Sequence, residues 1–355
     1  MAGIGGIAAV VIVSAALVCG TSGCSSLGYI GQSVSGHLDL TRRARPIDEW
    51  LADSTTPAAL KRKLEQSQRM RAFAVSELHL PDNASYKSYA DIGRPAVVWN
   101  VVATPELSLT LKTWCFPVMG CVGYRGYFDK GDADAMASWL RERQLEVDVY
   151  GVPAYSTLGW TNWLGGDPLL STFIGWSDAE LARLMFHELA HQVAYAADDT
   201  AFNESFAVAV ERIGGTRWLT AEGDAASLRE FEAVQTRREE FRALALQTRS
   251  ALAALYASDL SDADKRKRKA ELFDAMRIDY TRLKSEHWGG YAGYDAFIAR
   301  ANNAALAVQG AYNDLVPDFE RLFVRKGSDF DAFYAEVKRL AALPKAERHA
   351  KLHSP

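Results

Sequence analysis

The stretch "LMFHELAHQVAYAADDTAFNESFAVAV", Leu184 to Val210, limits the fold more than any other part of the chain. Residues four apart share one face of an α-helix, so His187 and His191 project together, one turn apart, with Glu188 beside them. Just upstream, "SDAE" offers Ser177 as an N-cap with a glutamate three residues on. The first helix is expected to run from Ser177-Asp178 through His191 to about Ala196. "AADDT" then breaks it, and a second helix is expected from Thr200 to Ile213, stopped by Gly214-Gly215. Such a reversal lets Glu204 face back toward the two imidazoles.

These residue types suit one chemistry. Neutral imidazole is a good zinc ligand, and zinc lowers the pKa of its water to about 7. A carboxylate that does not coordinate can take the remaining proton and later deliver it to a leaving amine. H-E-x-x-H is the arrangement of zinc metallopeptidases. With 7 His in 355 residues, its chance occurrence is about one in a hundred by composition. The bland alternative is a pair of packed histidines beside an ion-paired glutamate. A catalytic zinc needs three protein ligands and an open position. The expected set is therefore His187, His191 and Glu204 around one Zn2+, with Glu188 as general base. Glu211, on the same helical face as Glu204, is the alternative ligand, or else a second-sphere or salt-bridging residue. Other divalent ions could replace zinc at such a site.

"NESFA" (Asn203 to Ala207) resembles the N-E-x-x-A segment that carries the glutamate ligand of gluzincin metallopeptidases. Twelve residues separate His191 from Glu204, fewer than in those families. More of the chain, including "LPDNASYKSYADIGR", "WCFPVMGCVGYRGYF", "FHELAHQ", "DTAFNESFA" and "ANNAALAVQGAY", resembles the bacterial putative aminopeptidase family of lipoprotein type. That resemblance implies an α+β fold: a zincin-like core, with a small mostly antiparallel sheet and the metal-binding helix pair, then a mostly helical C-terminal half. It also implies hydrolysis of peptide bonds near a free N-terminus. The Gly-Ala-Met-Glu-Asn segment that grips a free amine in one large aminopeptidase family is absent, which keeps endopeptidase action open. A reading from another class is a non-catalytic envelope lipoprotein that uses the fold as a binding scaffold. For an oxyanion donor, Tyr312, His287, Tyr291 and Tyr294 lie downstream, where relatives place that group, and Tyr312 is the first choice. Tyr155, in "AYSTLG" ahead of the metal helix, is expected near the cleft.

The first 38 residues carry no Asp, Glu, Lys or Arg, and "IAAVVIVSAALVCG" is a continuous apolar run. The small residues before Cys24 resemble a bacterial lipoprotein signal, which implies lipidation of Cys24, tethering to a membrane and a periplasm-facing protein. Ser25 after that cysteine favours the outer membrane. An uncleaved transmembrane anchor is the rival reading. Cys115 and Cys121 can be brought together by a turn through Pro117 and Gly120, so a disulfide is plausible in an oxidising compartment; two buried thiols are the alternative. A net charge of −4 argues against a nucleic-acid partner.

The chain divides into a signal peptide at 1–23, a tether at 24–56, the catalytic region at 57–220, a helical region at 221–345 and a tail at 346–355. A helix is expected from Pro57 toward Leu78. "AVVWNVVA", "LSLTLKTW" and "VGYRGYF" read as strands of one antiparallel sheet, and "LEVDVYGV" as a half-buried strand. Ala154 to Thr172 reads as a loop with a short edge strand. Two long helices joined at "SDLSD" form an expected αα-hairpin, Ala221 to Lys284, on which "KRKRK" reads as a solvated face.

Overall fold

A computed structural model of the 355-residue chain describes residues 38–116, 120–154, 166–197, 199–222, 225–309 and 315–354, together with Gln32, Ser35 and Gly36. Cys24, Tyr155 and Tyr312 lie outside the described residues, as does the apolar N-terminal run. Among the described residues no helix is long and apolar enough to cross a membrane.

Pro57 N-caps helix α2 (Ala58–Ser76), which follows the short β1 (Arg45–Pro46) and α1 (Ile47–Ala52). Strand β2 (Ser88–Ala90) lies between β1, antiparallel, and β8 (Leu169–Leu170), parallel, in one small sheet. A second sheet has β3 (Val98–Pro105) at its centre, flanked antiparallel by β6 (Arg125–Tyr127) and β7 (Leu145–Val152). Helix α3 (Lys130–Arg141) packs Ala133, Ala137 and Leu140 on that sheet.

"LSLTLKTW" departs from expectation. Only its last residue is in a strand: β4 (Trp114–Phe116) pairs with β5 (Gly120–Val122) in a separate ribbon where Cys115 faces Cys121. The reason is that its apolar residues find other partners. Leu109 packs against the helices of the second half, and Leu111 lies against Gly123. The two cysteine sulfurs stand 1.97 Å apart, at disulfide distance.

The metal-motif helix is α4 (Asp178–Ala190), and α5 (Thr200–Glu222) follows it. α4 buries Leu181, Met185, Phe186 and Leu189 against α2 and α5, and each such side chain contributes roughly 1.5–3 kcal/mol of burial. Gly214 and Gly215 do not stop α5. A Cβ on Gly214 would stand 2.7 Å from Leu78 and 2.9 Å from Phe186, and one on Gly215 2.7 Å from Phe231. They are gaps that let neighbouring elements approach, and the helix runs on to Glu222 because packing outweighs glycine's low propensity.

Helices α6 (Ala225–Ala257) and α7 (Asp262–Arg282) pack on each other, with Trp288, Ile298 and Leu306 completing their own apolar cluster. Helix α8 (Asp295–Arg300) leads into α9 (Asn303–Gln309), whose buried Asn303 gives its side-chain N–H to Glu106 O at 2.7 Å and its backbone N–H to Glu146 at 2.9 Å. "KRKRK" is correspondingly more than a solvated face. Arg266 pairs with Glu106 at 2.9 Å, and Lys269 with Glu146, docking α7 at the loop after β3 and the start of β7.

Helices α10 (Val316–Arg325), α11 (Phe330–Ala341) and α12 (Lys345–His353) return to the first core, where Phe319 and Phe333 pack on Phe206 of α5. Within 221–345, residues from Phe241 to Leu306 form a cluster of their own, whereas Phe231 and the buried apolar residues from Leu315 onward join the core of the metal-motif helices. The residues expected to form a tail make α12, with Arg348 and Leu352 buried, because Arg348 has a buried carboxylate to meet.

Candidate metal centre

Ser177 caps α4 by accepting from the Glu180 N–H at 3.3 Å. The apolar face of α4 turns inward, which leaves half-buried His187 and Glu188 on its other side. His191 is the C-cap residue, so the helix ends earlier than the sequence suggests.

The reversal into α5 is held by side chains. Asn203 accepts from the Ala196 N–H at 2.8 Å and donates to Ala196 O at 2.7 Å, closing the loop on itself. Asp199 accepts from the Phe202 N–H at 3.2 Å and also meets Arg348 at 2.8 Å and His349 at 2.6 Å. The Asn of "NESFA" thus fixes the turn, and the next residue, Glu204, is carried to the imidazoles.

The Nε2 atoms of His187 and His191 stand 3.2 Å apart; Glu204 reaches the first at 3.5 Å and the second at 3.7 Å. Ligand atoms about 2.0–2.1 Å from a tetrahedral ion stand roughly 3.3 Å from one another. One donor atom from each of the three residues lies within 4.8 Å of the others, close enough to serve one divalent ion, and among the described residues they are the one group of three such side chains that converges this way.

Glu211 lies two turns beyond Glu204 on the same side of α5 and addresses the other nitrogen. Its Oε2 is 2.8 Å from His187 Nδ1 and its Oε1 is 2.7 Å from Arg183. Glu204 is thus in front of the ring and Glu211 behind it. Arg183 reaches Glu180 at 3.4 Å, and Glu180 in turn pairs with Arg238 of α6.

The electrostatics favour a cation. Burial would depress the His187 pKa, but hydrogen bonds to Glu204 and Glu211 outweigh it and hold the metal-free ring up to about 10. Burial, with the charge of His187, pushes His191 down to about 4. Burial opposes ionisation of Glu211, yet the Arg183 charge and the His187 bond bring its pKa down to about 2. One imidazole is neutral and the other carries a proton that a metal ion could displace. His191 Nδ1 is buried and has no hydrogen-bond partner among the described residues.

Other expected groups are elsewhere. Tyr294 stacks on Phe241 at 3.9 Å in the cluster of the long helices, while exposed Tyr291 lies under Arg237 and exposed His287 bonds Glu240 at 3.2 Å. Sequence reasoning missed the Arg183–Glu211 and Arg238–Glu180 pairs, whose members are 28 and 58 residues apart. It also missed the segment from Asp82 to Tyr86, which meets the residue after His191: Asn83 donates to Gln192 at 2.6 Å, and Gln192 donates to Ser85 at 3.3 Å. In the sequence, "LPDNASYKSYADIGR" marks that segment only by resemblance.

The family model described as "Putative aminopeptidase" matches residues 28–352. The chain belongs to this putative aminopeptidase family. The match takes in both helices of the candidate site, the long helices and almost all of α12. No curated protein and no solved structure matches the chain.

Proposed function

We propose that the protein is a zinc metallopeptidase with His187, His191 and Glu204 as ligands and Glu188 as general base. The observation that carries this reading is the convergence of two Nε2 atoms 3.2 Å apart with the Glu204 carboxylate, whose Oε2 is 3.5 Å from His187 and whose Oε1 is 3.7 Å from His191, beside Glu188 on the same helix as the histidines. Family membership supports peptide hydrolysis and, by the family's description, action at a free N-terminus. The α+β arrangement around the helix pair is read as zincin-like.

When bound, zinc supplies Lewis-acid activation of water and of the scissile carbonyl. The remaining chemistry belongs to side chains. Glu188 takes a proton from the attacking water and passes it to the leaving amine as the C–N bond breaks. Glu211 accepts from His187 Nδ1, which fixes the tautomer and leaves Nε2 free to coordinate. Glu204 adds a carboxylate that offsets part of the ion's charge.

A library of peptides with free and blocked N-termini tests the proposal on wild-type protein and on Glu188→Gln. Chelator-sensitive cleavage that the substitution abolishes, while metal stays bound, is expected. Cleavage confined to free N-termini supports aminopeptidase action, and cleavage of blocked peptides assigns endopeptidase action instead. Undiminished turnover by Glu188→Gln rules out the mechanism.

A further inference from the structure

The segment carrying Asp82 to Tyr86 is built with more restraint than a surface loop needs. Arg71, 7% exposed, donates to Ser85 O at 2.9 Å and to Asp82 at 2.8 Å, and also reaches Asn83 O. Gln68 donates to Tyr86 O at 2.9 Å, the Tyr86 N–H donates to Asp167 O at 2.7 Å, and the Asp167 N–H donates to Ser85 Oγ at 3.2 Å. Gly166, at φ +69°, passes so close that a Cβ there would stand 2.4 Å from Ser85 N. The far side of the segment is bolted to Gln192 through Asn83 and Ser85.

All of this holds one residue in an unfavourable conformation. Tyr86 has φ +63°, a left-handed backbone that a bulky side chain adopts at a cost and that recurs where a site demands it. Its side chain is buried, with the residue 4% exposed. Gln192 directly follows His191 at the end of α4, so the bolt holds the segment that carries Tyr86 against the end of the helix that bears Glu188. Burial, then the charges of Glu188 and Asp167, lift the phenol well above its ordinary pKa, which keeps it a donor.

We propose that Tyr86 is the oxyanion donor of this centre, its hydroxyl giving a hydrogen bond to the carbonyl oxygen as water adds to the carbonyl carbon. This rests on the peptidase reading above. The balance is that of hydrolysis. A new C–O bond forms, the carbonyl π pair moves onto oxygen beside Tyr86, and Glu188 holds the water's proton. The pair then returns, the C–N bond breaks, and that proton goes to nitrogen. Tyr86 keeps its own proton throughout. The strained backbone and its network make sense on this account, because a donor aimed at developing charge acts only if it is already in place.

The test is Tyr86→Phe, which keeps the ring's packing and removes only the hydroxyl. Cleavage kinetics, metal content, melting temperature and the inhibition constant of a phosphinate pseudopeptide, a mimic of the tetrahedral state, are measured on both proteins. The expected result is a fall in kcat of about 10²–10³-fold, with KM changed less than about threefold. Metal content and melting temperature stay as in wild type, and phosphinate affinity falls by a factor similar to kcat. Cleavage and phosphinate binding equal to wild type overturn the role of Tyr86 and leave the peptidase reading standing. Lost metal or a lowered melting temperature that accounts for the loss of activity assigns Tyr86 a structural role and also overturns it. Wild-type protein that binds metal but cleaves nothing overturns both readings.

Discussion

Glu211 and His187 are joined by a 2.8 Å hydrogen bond between Oε2 and Nδ1, across 24 residues of sequence. The carboxylate is ionised, so the ring nitrogen must be the donor, and the opposite nitrogen is turned toward His191 and Glu204. Glu211→Gln should loosen that orientation while keeping the side chain's shape. Metal affinity is expected to fall about 10–100-fold, read by competition with a chromophoric chelator. An unchanged affinity would show that His187 needs no partner behind it.

Metal uptake should expel a proton. His187 of the metal-free chain, held up to about 10, is protonated at neutral pH, whereas His191 at about 4 is not. A metal ion at Nε2 competes with one proton, so apparent affinity should rise about tenfold per pH unit through the neutral range. Titration calorimetry in buffers of different ionisation enthalpy should find about one proton released per ion near pH 7. Release of none would mean that His187 is already neutral.

Asp199 ties the start of α5 to α12. It is 1% exposed and its pKa is lowered: burial opposes ionisation, but Arg348 and His349 outweigh that. A depressed carboxylate gives stability that is fully present above the unfolded pKa of about 3.9 and lost as pH falls through the folded value. Asp199→Ala should cost about 3–5 kcal/mol at pH 7, because it strands buried Arg348 and removes a helix cap. The difference from wild type should shrink below about pH 4. Urea melts at several pH values read this directly, and a gap that widens in acid would contradict the assignment.

Gly214→Ala separates propensity from packing. In an open helix the change would stabilise by about 0.4–1 kcal/mol. Here the new methyl meets Leu78 and the fully buried Phe186, so a loss of about 1–3 kcal/mol is expected. A raised melting temperature would mean that the two side chains simply move aside.

The same glycines show where sequence reading reached its limit. The helical pair and the convergence of His187, His191 and Glu204 follow from local spacing, which is why they were legible. Whether Gly214 ends a helix or admits Phe186 depends on a neighbour 28 residues away, which no local pattern reports. Likewise, spacing alone leaves Glu211 open as a ligand in place of Glu204 or as a partner behind the ligands, since both lie on one helical face. What separates them is which nitrogen of His187 each one meets, and that needs the packing of α4 on α5. Tyr86 carried no spacing signal at all, because its relation to Gln192 is made by tertiary contacts.

Metal stoichiometry of the purified full-length chain, measured by inductively coupled plasma mass spectrometry alongside Glu188→Gln and Glu204→Ala, tests the central claim most directly. One zinc per chain is expected in wild type and in Glu188→Gln, with most of it lost in Glu204→Ala after dialysis. No metal in wild type, or a full equivalent retained by Glu204→Ala, would contradict the account.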